Sequence, residues 1–237
     1  MATAVCPLLL EDTSMIEKAR LLKKMGIESW ILRDTPVSTT ELSAIPDSQA
    51  TWDELAHCVK DCIKCPLHKT RTQTVLGVGN KHADLLIVGE APGANEDQQG
   101  EPFVGPAGSL LNEMLKSIGL TREQVFIANI LKCRPPNNRD PQPDEVNQCI
   151  DYLLQQISLL KPKLILAVGR ISAQNLLNRT ETLAQLRNHL HHYHNTPVIV
   201  TYHPAYLLRS PGQKRQAYKD LLRVQEFLSP PLKNGVG

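Results

Sequence analysis

GEAPGANEDQQGEPFVGPAG, residues 89–108, follows directly on the apolar run Asp84-Leu85-Leu86-Ile87-Val88. It leads into a helix-like pattern, Gly108-Ser-Leu-Leu-Asn-Glu-Met-Leu-Lys. The stretch therefore reads as a long loop that leaves the carboxyl end of a strand and ends at a helix N-terminus. Proteins of the α/β class place ligands there, because backbone N–H groups and the positive helix end converge. The glycines of the loop permit positive φ and close approach to a ligand. Glu90, Glu96, Asp97 and Phe103 lie among them. Such a length and such a cluster of ionisable groups favour a functional loop over a purely structural one.

Outward from this loop, strand-like and helix-like segments alternate. Val125-Phe-Ile-Ala-Asn129-Ile-Leu is a second strand-like run with one polar residue, Asn129, near its carboxyl end. Asn both donates and accepts, so it can read the edge of a base or an amide. Pro143–Leu160 predicts a helix, with Pro near its start and Asp144 and Glu145 in the first turn. Lys163–Gly169 is a third strand and Pro197–Tyr202 a fourth, the latter delivering His203 and a rigid Pro204. A last helix runs from about Lys214 to Phe227. The alternation predicts a parallel sheet of four strands with helices on both faces. The loop, Asn129 and His203 all fall at strand carboxyl ends, so they should meet in one cleft.

Upstream, Thr51-Trp-Asp-Glu54 is a capping box that opens a helix. That helix runs into Cys58 and then Cys62-Ile-Lys-Cys65. A C-x-x-C pair suits a metal or a cluster, or a redox pair; no strand precedes it, as a thioredoxin-like fold would require. A four-thiolate site needs two more thiols, and Cys133 and Cys149 are available. His189, His191, His192 and His194 lack a helical pairing with an acid and read as exposed loop or strand edge.

Residues 1–50 differ from the rest. Glu17–Leu32 predicts a short amphipathic helix, and a Ser/Thr/Pro/Asp-rich linker follows. Residues 51–229 then form the main domain and 230–237 a tail. Net charge is +2, which permits a nucleic-acid partner without demanding one. No apolar run approaches the roughly 18 residues of a membrane span. The N-terminus has no basic region before its short apolar run, so a secretory signal is not expected and the location is read as cytoplasmic. In a reducing setting the six cysteines are thiols or metal ligands.

Three segments in order, GEAPGANEDQQGEPFVGPAG, IANILKCRPPNNRDP and TYHPAYLLR, closely resemble the motifs of family 4 uracil-DNA glycosylases, the iron–sulfur branch of that superfamily. The likeness covers about Trp52–Leu228 and leaves out the N-terminal extension. It implies a three-layer α/β/α fold and a [4Fe-4S] cluster on Cys62, Cys65, Cys133 and Cys149. It also implies uracil-containing DNA as substrate, no membrane, and a monomer, with residues 1–50 a candidate dock for a replication or repair protein. In such an enzyme Phe103 stacks on the flipped uracil, Asn129 reads its polar edge, and His203 donates toward the developing oxyanion. Gly89, Glu90, Ala91 and Gly93 line the base site, with Glu90 and Glu96 as candidate catalytic acids. Leu207, Leu208 and Arg209 resemble the loop that wedges into the vacated base stack. Lys132, Arg134, Arg139 and Lys214 are candidate phosphate contacts.

One departure bears on mechanism. The best-known branch of the superfamily has an Asp, which positions water, where this chain has Ala91. It has a Tyr, which bars the thymine methyl, where this chain has Gly93. The nearby acids Glu90, Glu96 and Asp97 are left unranked for the water, and Glu96 is a candidate guard of C5.

Overall fold

In a computed structural model of the chain, the structure describes residues 51–229. The helix expected over Glu17–Leu32, the linker and the tail lie outside the described residues.

Helix α1 (Trp52–Lys60) starts as its capping box dictates: the Thr51 side chain accepts from Glu54 N, and Glu54 reaches back to the Thr51 backbone. Strand β1 (Val78–Gly79) precedes β2 (Leu85–Gly89). The loop after β2 is not wholly irregular. It contains a short helix, α2 (Ala94–Gln99), before α3 (Pro106–Lys116) begins with its Pro in the first turn. Then come β3 (Phe126–Asn129), α4 (Pro143–Leu160), β4 (Leu164–Val168) and α5 (Arg170–Leu177). The chain closes with α6 (Leu183–Arg187), β5 (His191–Tyr193), β6 (Thr196–Thr201), α7 (Pro204–Arg209) and α8 (Lys214–Leu228).

The sheet order is β1-β3-β2-β4-β6-β5. Its centre, β3-β2-β4-β6, is the expected set of four parallel strands. Strands β1 and β5 add antiparallel edges, so the whole sheet is six-stranded and mixed. These edge strands are two and three residues long, too short to carry a pattern in sequence. The histidine run lies partly on β5, at the sheet edge, as expected.

Central strands buried on both faces read as continuous apolar runs, and these do. Alternate residues face opposite layers. Leu86, Val88, Ile165, Ala167, Val198 and Val200 pack under α1, α4 and α5. Leu85, Ile87, Leu164, Leu166, Val168 and Ile199 pack under α3, α7 and α8. The result is a three-layer α/β/α domain. Among the described residues no helix is long and apolar enough to cross a membrane.

Candidate active site

A cavity of about 420 Å³ opens at the carboxyl ends of the parallel strands. Glu90, Ala91, Gly93, Glu96, Phe103, Asn129, His203 and Arg209 all line it. The fold thus brings together the three elements expected to meet: the loop after β2, the end of β3 and the start of α7. The register explains part of this, since Gly89 and Asn129 are partners at the last step of the β2–β3 pairing. Gly89 lies behind the pocket wall. A Cβ there would overlap Asn129 Oδ1 and come within 2.8 Å of the Phe103 ring. Only glycine lets both side chains reach the cavity.

Phe103 is buried, with its backbone at φ 55°. A left-handed bulky residue is strained, and strain of this kind persists where the surroundings over-determine the backbone. Gly108 is one such constraint, because any Cβ there would run into the Phe103 carbonyl. The Phe103 ring stacks on His203 with centroids 5.6 Å apart and an interplanar angle of 29°.

Asn129 is 2% exposed, and its amide makes no hydrogen bond to another described residue. A buried amide with unspent donors and acceptor is costly unless a ligand completes it. His203 caps α7: its Nδ1 accepts from Ala205 N at 3.1 Å. With Nδ1 held as acceptor, the proton of the neutral ring sits on Nε2, free to donate into the cavity. Burial, aided by Arg209, pushes the His203 pKa down from 6.5 to about 4, while Glu96 acts weakly the other way. The ring is therefore a neutral donor at neutral pH.

The acids separate clearly. Asp97 is buried and spends both carboxylate oxygens on Thr72 N, at 3.0 and 3.1 Å. Glu96 Oε1 accepts from Val104 N and Gly105 N, at 3.1 and 3.2 Å. Its other oxygen fills the space beside Gly93, where a Cβ would come within 2.7 Å of it. The Glu90 backbone carbonyl accepts from Leu131 N at 3.1 Å, but its carboxylate accepts no hydrogen bond from a described residue. Burial, with Asp140 nearby, raises its pKa from 4.5 to about 7, partly offset by Arg170. A carboxyl in a cleft with a pKa so displaced is a functional candidate.

Two expectations need correction. Leu207 cannot serve as a wedge. It is 1% exposed and packs with α3 and α8 in the core, because α7 turns that face inward. Leu208, 45% exposed, is the apolar side chain of the expected wedge that projects, and Arg209 is exposed beside it. Lys132 is not a phosphate contact either. It is 1% exposed and donates through Nζ to Asn129 O and Gln156 Oε1, both at 2.7 Å. Arg139 gives both its Nη groups to Glu145, at 2.5 and 2.9 Å, and Arg134 donates to Asn138 Oδ1. Lys214 is exposed at the start of α8.

Cys62, Cys65, Cys133 and Cys149 are all free thiols, the first two partly buried and the last two buried. They are close enough for their charges to oppose one another: Cys62 acts on Cys65, Cys133 and Cys149. Burial is the larger effect and pushes the Cys149 thiol up to about 12. Arg71 Nη1 donates to Cys133 Sγ at 3.2 Å, and Lys132 N donates to Cys149 Sγ at 3.3 Å. Four clustered thiols with N–H donors aimed at two of the sulfurs are a donor set that suits an iron–sulfur cluster. Among the described residues no group of His, Cys, Asp or Glu could hold a single metal ion.

Sequence reasoning did not single out Arg122. Its guanidinium donates to the carbonyls of Pro102 and, at 3.2 Å, Phe103. No motif marks a link between residues so far apart in the chain.

Residues 76–223 match the Uracil DNA glycosylase superfamily. The chain is 45% identical to a type-4 uracil-DNA glycosylase of Archaeoglobus fulgidus, over 74% of this chain and 92% of that protein. It is 46% identical to one of Pyrobaculum aerophilum, over 75% of this chain and 97% of that protein. A type-4 uracil-DNA glycosylase of Thermotoga maritima is 41% identical over 72% of this chain and 91% of its own length.

Proposed function

The chain belongs to the uracil-DNA glycosylase superfamily, and from that premise we propose how its pocket works. The protein is a uracil-DNA glycosylase, a hydrolase of the N-glycosidic bond of deoxyuridine in DNA. The observation that carries the assignment of roles is the convergence of Phe103, Asn129, His203 and Glu90 on one cavity.

A uracil inside a duplex is out of reach, so the nucleotide is flipped into the pocket. Phe103 stacks on the base. The Asn129 amide accepts from uracil N3–H and donates to O4. Cytosine reverses both partners and leaves the buried amide unpaired, which is the source of discrimination. Breaking the bond puts negative charge on the uracil and positive charge on the sugar. His203 Nε2–H donates to the uracil oxygen on which charge develops. Neutral His203 does this without surrendering a proton. Glu90, ionised above pH about 7, orients the attacking water and faces the sugar cation. The task that Ala91 cannot perform thus moves to the preceding residue. Glu96, whose second oxygen fills the space beside Gly93, guards C5 against the thymine methyl. Leu208 enters the vacated stack, with Arg209 and Lys214 toward phosphate.

Cys62, Cys65, Cys133 and Cys149 are the residues that would hold a [4Fe-4S] cluster. Held by these residues, it would tie the turn after α1 to the segment after β3 and to α4, a structural task. Residues 51–229 are the glycosylase domain, and residues 1–50 an extension that docks a replication or repair partner.

The test is incubation of the purified protein with a single-uracil oligonucleotide, followed by alkali. Scission at the uracil, and none in matched oligonucleotides carrying cytosine or thymine, is expected. An intact oligonucleotide, with the protein folded, would overturn the assignment.

A further inference from the structure

The segment that carries Phe103 is gripped from two sides. Glu96 takes the amides of Val104 and Gly105. On the other side stands Arg122, partly buried just before β3, with Nη1 3.2 Å from the Phe103 carbonyl and Nη2 on the Pro102 carbonyl. Pro102 and Phe103 are both buried, so these carbonyls depend on protein donors. The Phe103 backbone is left-handed, at φ 55°, a conformation that relaxes unless held. A guanidinium presents planar, paired donors, and bonds from a charged donor are the stronger kind.

We propose that Arg122 is a positioning residue for the base platform: by holding the carbonyls of Pro102 and Phe103 it fixes the Phe103 ring against His203 in the pocket. Arg122 does not touch the base. It acts through the orientation of the two peptides that flank Phe103, and Glu96 grips the second of these through Val104 N and the following one through Gly105 N. Without Arg122 the two carbonyls lose their charged partner, Phe103 leaves the left-handed region, and the ring swings off the stacking position. Base binding weakens before the chemistry does, because Asn129 and His203 keep their places on β3 and α7. This inference rests on the glycosylase assignment, since it concerns the same pocket.

The experiment measures kcat, KM and inhibition by free uracil for wild-type protein, Arg122→Ala and Arg122→Met, each with and without millimolar guanidinium ion. Arg122→Met keeps much of the side chain's packing and removes the donors. Both variants are expected to raise KM and the uracil inhibition constant by about tenfold, with a smaller change in kcat. Guanidinium ion should restore part of the loss in Arg122→Ala and leave the wild type unchanged. A purely structural role would lower the melting temperature and leave KM and uracil inhibition of the folded protein unchanged; that result overturns the proposal. Loss of fold in Arg122→Met as well as Arg122→Ala would also overturn it, by assigning Arg122 to the fold instead of the platform. A wild-type protein that releases no uracil would defeat the glycosylase assignment itself, which is a separate result.

Discussion

Asn129 ends β3 and Cys133 lies in the segment just after it, yet they face opposite circumstances. Asn129 opens into the pocket with its amide unspent. Cys133 is packed in the core with Arg71 on its sulfur. The contrast extends to the regions around them. In the pocket the polar groups are under-used: the Glu90 carboxylate accepts nothing from a described residue and His203 has Nε2 free, while Phe103 holds a strained backbone. Around Cys133 and Cys149 the surroundings are closed, and even the buried ammonium of Lys132 is satisfied by Asn129 O and Gln156 Oε1. Unmet hydrogen-bonding capacity marks the place where a ligand is completed, and satisfied capacity marks the place that holds the fold. Lys132 joins the two, because it supports the carbonyl of Asn129 from the cysteine side.

The contrast breaks first, if it breaks, at His203. Loss of one preorganised oxyanion donor costs about 10² to 10³ in kcat. His203→Ala should show that loss in single-turnover uracil release, with its melting temperature little changed. A variant that instead unfolds would put His203 among the structural groups.

Glu90→Gln sharpens the contrast through pH. Wild-type activity should rise as pH passes about 7, where Glu90 ionises. The variant should be slower by about 10²-fold at pH 8 and should lack that step. What acid limb remains should fall only as pH nears about 4, where His203 protonates. Stability should move the opposite way. Glu90 has a folded pKa of about 7, above its ordinary 4.5, so folding takes up a proton between these values and the wild type loses stability as pH rises through them. Glu90→Gln should therefore melt higher than wild type at pH 8 and equally at pH 4. A wild-type melting temperature that rose from pH 5 to pH 7, with no such rise in Glu90→Gln, would contradict this assignment.

Cys133→Ala tests the other side. It should lose the visible absorbance of an iron–sulfur cluster and melt several degrees lower, by roughly 4 °C or more. Uracil release by the folded fraction should fall only a few-fold. Abolished release with unchanged melting would dissolve the distinction between the two regions. The smallest effect is expected from Leu208→Ala, which removes an exposed side chain. It should slow release from duplex about tenfold, within the few kcal/mol that unstacking one base step costs, and should leave release from single-stranded substrate nearly unchanged.

The sequence showed most of the fold because its central strands are long apolar runs ending in punctuated loops. The convergence of Phe103, Asn129 and His203 followed from where strands end. The edge strands β1 and β5 were not legible, since two and three residues cannot show a period. Leu207 looked like part of a projecting tip until α7 gave its residues an inside and an outside. Lys132 was read as exposed because lysines usually are; its burial depends on Gln156, far along the chain on α4. The acids of the first loop could not be ranked from sequence, because their difference lies in which backbone amides reach them. The Arg122 contact to Phe103 left no trace in spacing for the same reason.

The central claim is that the unspent amide of Asn129 is completed by uracil. Its most direct test is single-turnover release from matched single-uracil and single-cytosine oligonucleotides by wild-type protein and Asn129→Ala. Uracil release by the variant should be slower by about 10²-fold or more, with the melting temperature retained and the preference for uracil over cytosine reduced. A folded Asn129→Ala variant that released uracil at the wild-type rate, with its preference intact, would contradict the account.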